Sequence, residues 1–418
     1  MSDTRANIRS DARVDSLTTV AVRAGVAVDP THGAVIPPLY LSTNFTFKAF
    51  GERRDYDYTR SGNPTRDVLA EALSTLEGGH SAVITASGMA SLTLLTHLID
   101  ADGLIVAPHD CYGGTFRLFT ALAKQGRIRV AFIDQTDPAA LADAFKEKVA
   151  LVLVETPSNP LLRVVDIAAV AAQCKKHGTL LAVDNTFLSP ALQRPIDLGA
   201  DIVLHSTTKY LNGHSDVVGG AVVAATKEIG DQLSWWSNCL GLSGAPFDSF
   251  LTLRGLRTLN ARLRVHGENA SAVVRLLNDH PAVTKVYYPG LESHPGHAIA
   301  VKQQQGFGAM ISFELAGGTS AVTAFLEGLR FFSLAESLGG VESLVAHPAS
   351  MTHSAMAPEA RATAGITDSL LRLSIGIEAE ADLTSDLLAG LARAQHATQA
   401  AFGTGAVKKT KLVREAAL

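Results

Sequence analysis

Cysteine is scarce in this chain of 418 residues. There are three, Cys111, Cys174 and Cys239, odd in number and without CxxC spacing, which argues against a disulfide framework or a thiolate zinc site and for reduced thiols. An excess of one charge is lacking too: 36 basic against 40 acidic residues leave a net charge of −4, which gives nucleic acid no electrostatic reason to bind. The basic tail, Lys408, Lys409, Lys411 and Arg414, reads as a solvated end. No apolar run approaches the roughly 18 residues that span a bilayer, and the opening Met-Ser-Asp-Thr-Arg-Ala-Asn-Ile-Arg has no apolar core segment of a signal peptide. The expectation is a cytoplasmic protein with no membrane partner. No GxGxxG follows a strand, no GxxxxGK[ST] occurs, and the fourteen histidines, His205, His214, His347 and His353 among them, show no HExxH spacing. Dinucleotide, P-loop nucleotide and metal are therefore not expected.

What is present is alternation. Seven apolar runs, at 82–84, 104–106, 130–133, 150–154, 180–183, 202–204 and 221–224, are separated by amphipathic stretches. That is the pattern of an α/β fold, a mostly parallel seven-stranded sheet with helices on both faces. With 47% hydrophobic residues the chain is long enough for two cores. Residues 1–65, rich in Pro, Gly and polar residues, suit an N-terminal arm; 66–265 carry the sheet; 266–418, with strand-like runs at 283–288, 310–315 and 370–377, suit a smaller α+β domain. Asn63-Pro64 reads as an N-cap and first helical residue, and Gly78-Gly79 as the end of that helix.

Three segments carry chemistry. In Asp201-Ile-Val-Leu-His-Ser-Thr-Thr-Lys209 an apolar strand delivers Ser206, Thr208 and Lys209 to one place, where desolvation lowers the pKa of a lysine. In Leu180-Leu-Ala-Val-Asp184 a second strand ends in a carboxylate. In Thr85-Ala-Ser-Gly88-Met89-Ala-Ser91 small residues precede a helix, whose first amides and dipole favour an anion. Alone, each fits a plainer role: a solvated lysine, a turn-capping aspartate, a helix cap. Together they fit pyridoxal 5'-phosphate, with Lys209 for its aldehyde, Asp184 to keep its ring nitrogen protonated, and Gly88, Met89, Ser206 and Thr208 for its phosphate. Arg372 stands inside the apolar run Leu370-Leu-Arg-Leu-Ser-Ile-Gly-Ile377 and must face water or an anion, since burying it unpaired is costly.

These segments, with Tyr56-Asp-Tyr58-Thr-Arg60-Ser-Gly-Asn63-Pro, Ala107-Pro-His-Asp-Cys-Tyr112-Gly-Gly, Glu155-Thr-Pro-Ser-Asn159-Pro and Leu334-Ala-Glu336-Ser337-Leu-Gly-Gly, resemble the Cys/Met-metabolism family of pyridoxal phosphate enzymes over residues 16–394. The similarity is greatest to the bacterial branch that makes cystathionine by γ-replacement. It implies the aspartate aminotransferase-like architecture called fold type I. It also implies that Lys209 is the covalent anchor and proton shuttle, that Asp184 pairs with the ring nitrogen, and that Tyr112 stacks on the ring. Arg372, with Asn159, Ser337 and its neighbour Glu336, is implied to hold the substrate α-carboxylate. Tyr58 and Arg60 are implied to reach the cofactor phosphate of a neighbouring subunit, in a homotetramer built as a dimer of dimers with shared active sites.

The implied reaction takes O-succinyl-L-homoserine and L-cysteine to L-cystathionine and succinate. A γ-lyase of the same family uses the same lysine, aspartate and tyrosine to cleave cystathionine. Asp57, where such lyases more often carry Glu, and the stretch 335–362 place this chain with the synthases. Ser61 follows Arg60 where some synthases have a second arginine, so Arg117 is the candidate to hold a succinyl carboxylate. From another class, a catalytically silent relative would keep the fold as a binding module; the complete set of Lys209, Asp184, Tyr112 and Arg372 argues against it.

Overall fold

The computed structural model of the protein describes residues 15–354 and 358–415. The opening nine residues, positions 355–357 of the synthase-like stretch, and the side chains of Lys408, Lys409, Lys411 and Arg414 lie outside the described residues.

Seven strands form the main sheet: β1 (Ser81–Thr85), β2 (Leu104–Pro108), β3 (Arg129–Ile133), β4 (Val149–Glu155), β5 (Leu180–Asp184), β6 (Ile202–His205) and β7 (Gly220–Ala224). Their order is β1-β7-β6-β5-β4-β2-β3, and only β7 runs against its neighbours. The apolar runs dictate this arrangement because they are apolar on both faces. In β4, Leu151 and Leu153 pack into one cluster with Ile105, Phe119 and Ala182, while Val152 and Val154 pack into another with Val106, Ile167 and Val183. Successive side chains of a strand point to opposite faces, so helices cover both sides and the strand interior stays dry. Each buried aliphatic contributes about 1.5–3 kcal/mol over an exposed one. A charge placed at Val152, which is fully buried, would break this layer.

Of the helices that position the candidate site, α1 (Leu17–Arg23) lies within the arm and was not legible as a helix; Ser16 caps it by accepting from Thr19 N. Helix α2 (Pro64–Glu77) begins as expected: Asn63 accepts from the amides of Thr65 and Arg66, Pro64 is the first helical residue, and Gly78 ends the helix at φ +77°. Helices α3 (Gly88–Leu95) and α4 (Gly113–Lys124) follow β1 and β2. The rest of the arm consists of turns and isolated bridges and exposes Val35, Ile36, Leu41, Phe47 and Phe50.

The second sheet contains β8 (Val283–Tyr287), β9 (Met310–Leu315), β10 (Ser333–Leu334), β11 (Leu344–Ala346) and β12 (Leu370–Ser374), in the order β10-β11-β12-β9-β8. β12 is therefore an inner strand, which places Arg372 between Ala346 and Ser312. The position between residues 265 and 266, where the sequence suggests a division, lies inside the helix Leu259–Asp279.

Candidate active site

Strands β4, β5 and β6 end side by side, where ligands of open α/β sheets bind. Glu155 and Asp184 are direct register partners, and so are Asp184 and Leu204. The second sheet closes the space above them through the Glu336–Ser337 segment and Arg372, leaving a cavity of about 390 Å³. Lys209, Asp184, Tyr112, Arg372, Asn159, Glu336 and Ser337 all line it, as do Gly88, Met89, Ser206 and Thr208. A larger groove of about 670 Å³, bounded by α1 and the helix Leu259–Asp279, contains none of the candidate residues.

Lys209 is largely withdrawn from water. Burial, and then the positive charge of Arg372, bring its pKa down to about 8, with Glu336 pulling the other way. Its Nζ donates to Ser337 Oγ at 2.6 Å. Ser337 itself holds φ at +83°, a region that non-glycine residues rarely occupy. Its carbonyl accepts from Arg372 Nη2 at 2.8 Å, so the strained residue is fixed from two sides.

Arg372 is 3% exposed. Nη1 donates to Asn159 Oδ1 at 2.8 Å, while Nε is buried without a partner. Burial lowers its pKa to about 10, so it keeps its proton at neutral pH. Arg372 lines the cavity, and a guanidinium there with one N–H still unpaired suits a carboxylate, which accepts parallel bonds from an arginine fork.

Asp184 Oδ1 accepts from Thr186 N at 3.0 Å, and burial nevertheless holds the carboxyl above its usual range. Glu155 beside it is pushed well up by burial and by Asp184. No ion pair to a lysine, arginine or histidine reaches either group among the described residues. Two adjacent carboxyls, Glu155 buried and Asp184 half-buried at the cavity wall, suit a cationic nitrogen, which is what a protonated pyridine ring offers.

Tyr112, the residue before α4, is 42% exposed and lines the cavity. A Cβ on Gly114 would stand 2.5 Å from that ring and 2.7 Å from Met89 Sδ, so the platform requires glycine there. At the other end Ser87 Oγ accepts from Ala90 N and Ser87 O from Ser91 N. The Gly88 and Met89 amides are thereby left without intrahelical acceptors. A Cβ on Gly88 would approach Ser206 Cβ at 3.0 Å, which shows how closely α3 meets the Ser206 turn. Amides, hydroxyls and a helix N-terminus together suit a phosphate, so the residues present fit pyridoxal phosphate from end to end.

Four candidates lie elsewhere. Tyr58 and Arg60 border a separate depression with Thr43 and Ser243, and Arg60 donates to Asn238 Oδ1 at 3.1 Å. Asp57 pairs with Arg53 and accepts from Ser61 Oγ within the arm. Arg117 is exposed on α4; it follows Tyr112 by five residues, about 140° around the helix, and does not line the cavity. Conversely, Glu155, Thr186 and His205 line the cavity without having been assigned a role from sequence. Glu155 carried a usable signal, since it ends an apolar strand in a carboxylate just as Asp184 does.

The sequence pattern described as Cys/Met metabolism PLP-dependent enzyme matches residues 18–392. The chain is 56% identical over 370 residues to cystathionine gamma-synthase of Escherichia coli (strain K12), covering 88% of this chain and 96% of that one. It is 46% identical over 370 residues to cystathionine gamma-lyase of Dictyostelium discoideum, covering 88% and 96%. Among solved structures, cystathionine gamma synthase from Xanthomonas oryzae pv. oryzae in complex with cystathionine matches with a TM-score of 0.91 and 62% identity, over 92% of this chain and 99% of that one.

Proposed function

Because the chain belongs to the Cys/Met metabolism PLP-dependent enzyme family, we propose that it catalyses γ-replacement, converting O-succinyl-L-homoserine and L-cysteine to L-cystathionine and succinate. The observation that carries synthesis over breakdown is the 62% identity to a synthase crystallised with cystathionine, against 46% to a γ-lyase.

Pyridoxal phosphate, when bound, supplies an electron sink conjugated to the substrate α-carbon. The chain's own residues do the rest. Gly88, Met89, Ser206 and Thr208 hold the phosphate, and Tyr112 covers one face of the ring and excludes water from it. Asp184 holds a proton at the ring nitrogen. Arg372 receives the α-carboxylate on Nε while Asn159 and Ser337 keep its other nitrogens in place, which fixes the α-proton near Lys209. With its pKa near 8, Lys209 has about a tenth of its amine free at neutral pH, against well under a thousandth for an ordinary lysine, and its Nζ takes the α-proton and returns one later. Ser337 Oγ steadies that nitrogen.

Tyr58 and Arg60 serve the phosphate of a second copy of the chain, within a cytoplasmic homotetramer. Supporting this, both line a depression away from Lys209, and the arm that carries them exposes Phe47 and Phe50, apolar surface suited to a partner. Asp57 on that arm favours the synthase reading, and Arg117, exposed on the helix that follows Tyr112, is the candidate cation for a succinyl tail. The arm, the sheet-bearing segment 66–265 and the C-terminal segment 266–418 are the functional divisions of the chain.

Steady-state turnover with O-succinyl-L-homoserine plus L-cysteine, compared with turnover of cystathionine alone, tests the proposal. Faster condensation supports it; cleavage as the much faster reaction would assign the chain to the γ-lyases instead.

A further inference from the structure

We propose that Glu155 is a positioning residue: one buried carboxylate that ties the ring platform at Tyr112 to the carboxylate clamp at Asn159 and Arg372. The inference rests on the pyridoxal phosphate reading above and adds a residue to which that reading gives no task.

Glu155 is the last residue of β4 and is 7% exposed. Its two oxygens have different partners. Oε2 accepts from Tyr112 N at 2.9 Å, and Oε1 accepts from Asn159 N at 3.2 Å. Tyr112 precedes α4 without a side-chain cap, so its amide has no acceptor within the helix, and the Glu155 bond sets how the residue enters the turn. Asn159 in turn presents Oδ1 to Arg372 Nη1 at 2.8 Å, and Arg372 Nη2 reaches Ser337 O at 2.8 Å. Ser337 Oγ ends the chain at Lys209 Nζ, 2.6 Å away. Five contacts thus connect the stacking residue, the carboxylate clamp and the lysine, and Glu155 stands where the two halves meet.

Two N–H donors converging on one buried side chain need two acceptor oxygens. A glutamine there would present one oxygen and one NH2, so one backbone amide would face another donor. The neighbouring acid Asp110 is served differently: it accepts from Ser158 Oγ at 2.6 Å and has Arg163 at 3.7 Å and His109 at 3.9 Å. Glu155 has no such cation among the described residues and stands in register with Asp184 instead. Charge at the ring nitrogen is therefore felt by the same carboxylate that orients the platform and the clamp.

The experiment uses the full-length, coenzyme-loaded protein carrying Glu155→Gln. KM for O-succinyl-L-homoserine should rise about tenfold, the cost of leaving one buried backbone amide without its acceptor, with a smaller change in kcat. The visible circular-dichroism band of the bound coenzyme should change shape or amplitude as the Tyr112 platform shifts. A purely structural role moves neither when the folded fraction is matched by far-ultraviolet circular dichroism. Combining Glu155→Gln with Asn159→Ala should raise KM by much less than the product of the single effects, because both act on Arg372. If Glu155→Gln does not accumulate, Glu155→Asp keeps two carboxyl oxygens but cannot reach both amides, and it must raise KM in the same direction. KM and the dichroic band both within twofold of wild type, or fully multiplicative effects with Asn159→Ala, would overturn the inference. A wild-type protein with no visible dichroic band would instead remove the pyridoxal phosphate reading, a separate failure.

Discussion

Arg372→Lys keeps a positive charge in the same inner strand and removes the planar fork, so it isolates what the guanidinium geometry contributes. In the native site Nη1 and Nη2 are taken by Asn159 Oδ1 and Ser337 O, each at 2.8 Å, and Nε is left for substrate. A single ammonium cannot serve all three directions from one point. Two charge-assisted bonds, each about 1.5–3 kcal/mol, are at stake, and a lysine recovers roughly half of them, leaving about 1.5–3 kcal/mol. That corresponds to a fall in kcat/KM of about 10- to 150-fold. Most of it should appear as a raised KM for O-succinyl-L-homoserine at saturating cysteine. Part should appear in kcat, because Ser337 at φ +83° loses one of the two contacts that hold it beside Lys209. An amine analogue without the α-carboxylate, used as a competitive inhibitor, should bind both proteins equally. A folded Arg372→Lys protein whose kcat/KM falls less than threefold, or whose inhibition by the carboxylate-free amine weakens in parallel, would refute the reasoning.

Lys209 predicts a pH dependence. Its folded pKa of about 8 lies below the ordinary 10.5, so the unfolded chain holds this proton to higher pH than the folded one. Stability of the coenzyme-free protein should therefore rise with pH between about 8 and 10.5, a limb worth about 3 kcal/mol that Lys209→Met abolishes. Chemical denaturation at about pH 7 and about pH 10 checks this, and equal pH slopes for the two proteins would contradict it. Sharing of sites between subunits predicts complementation. Arg60→Ala and Lys209→Ala proteins, each nearly inactive, should recover about a quarter of wild-type activity when co-expressed, since half the dimers are mixed and each of those has one intact site. No recovery above the separate proteins would place Arg60 outside the neighbouring site.

The strands were legible because each is an apolar run bounded by polar residues, and β1 to β7 differ from the sequence reading by only a residue or two at their ends. β10 and β11, two and three residues long, are too short to stand out from loop sequence; they exist because Ser333 and Leu344 pair across the fold. Helix α1 was hidden because Leu17-Thr-Thr-Val-Ala-Val-Arg23 is rich in β-branched residues, which favour strands over helices. In the site, Lys209 and Asp184 were readable because an apolar strand that delivers a charge is locally anomalous, and Arg372 because a buried arginine needs an anion. Glu155 shows the same anomaly, yet its task became visible only through its contacts with Tyr112 and Asn159, 43 and 4 residues away in the chain. Tyr58 and Arg60 are not joined to the cavity by one chain's fold, which sets them around a separate depression; the task proposed for them belongs to a second copy.

Borohydride reduction of the coenzyme-loaded protein, followed by peptide mass mapping, tests the central claim most directly. The reduced pyridoxyl phosphate mass should appear on one peptide, the one containing Lys209, and be lost in Lys209→Ala. The coenzyme mass on another lysine, or on none, would contradict it.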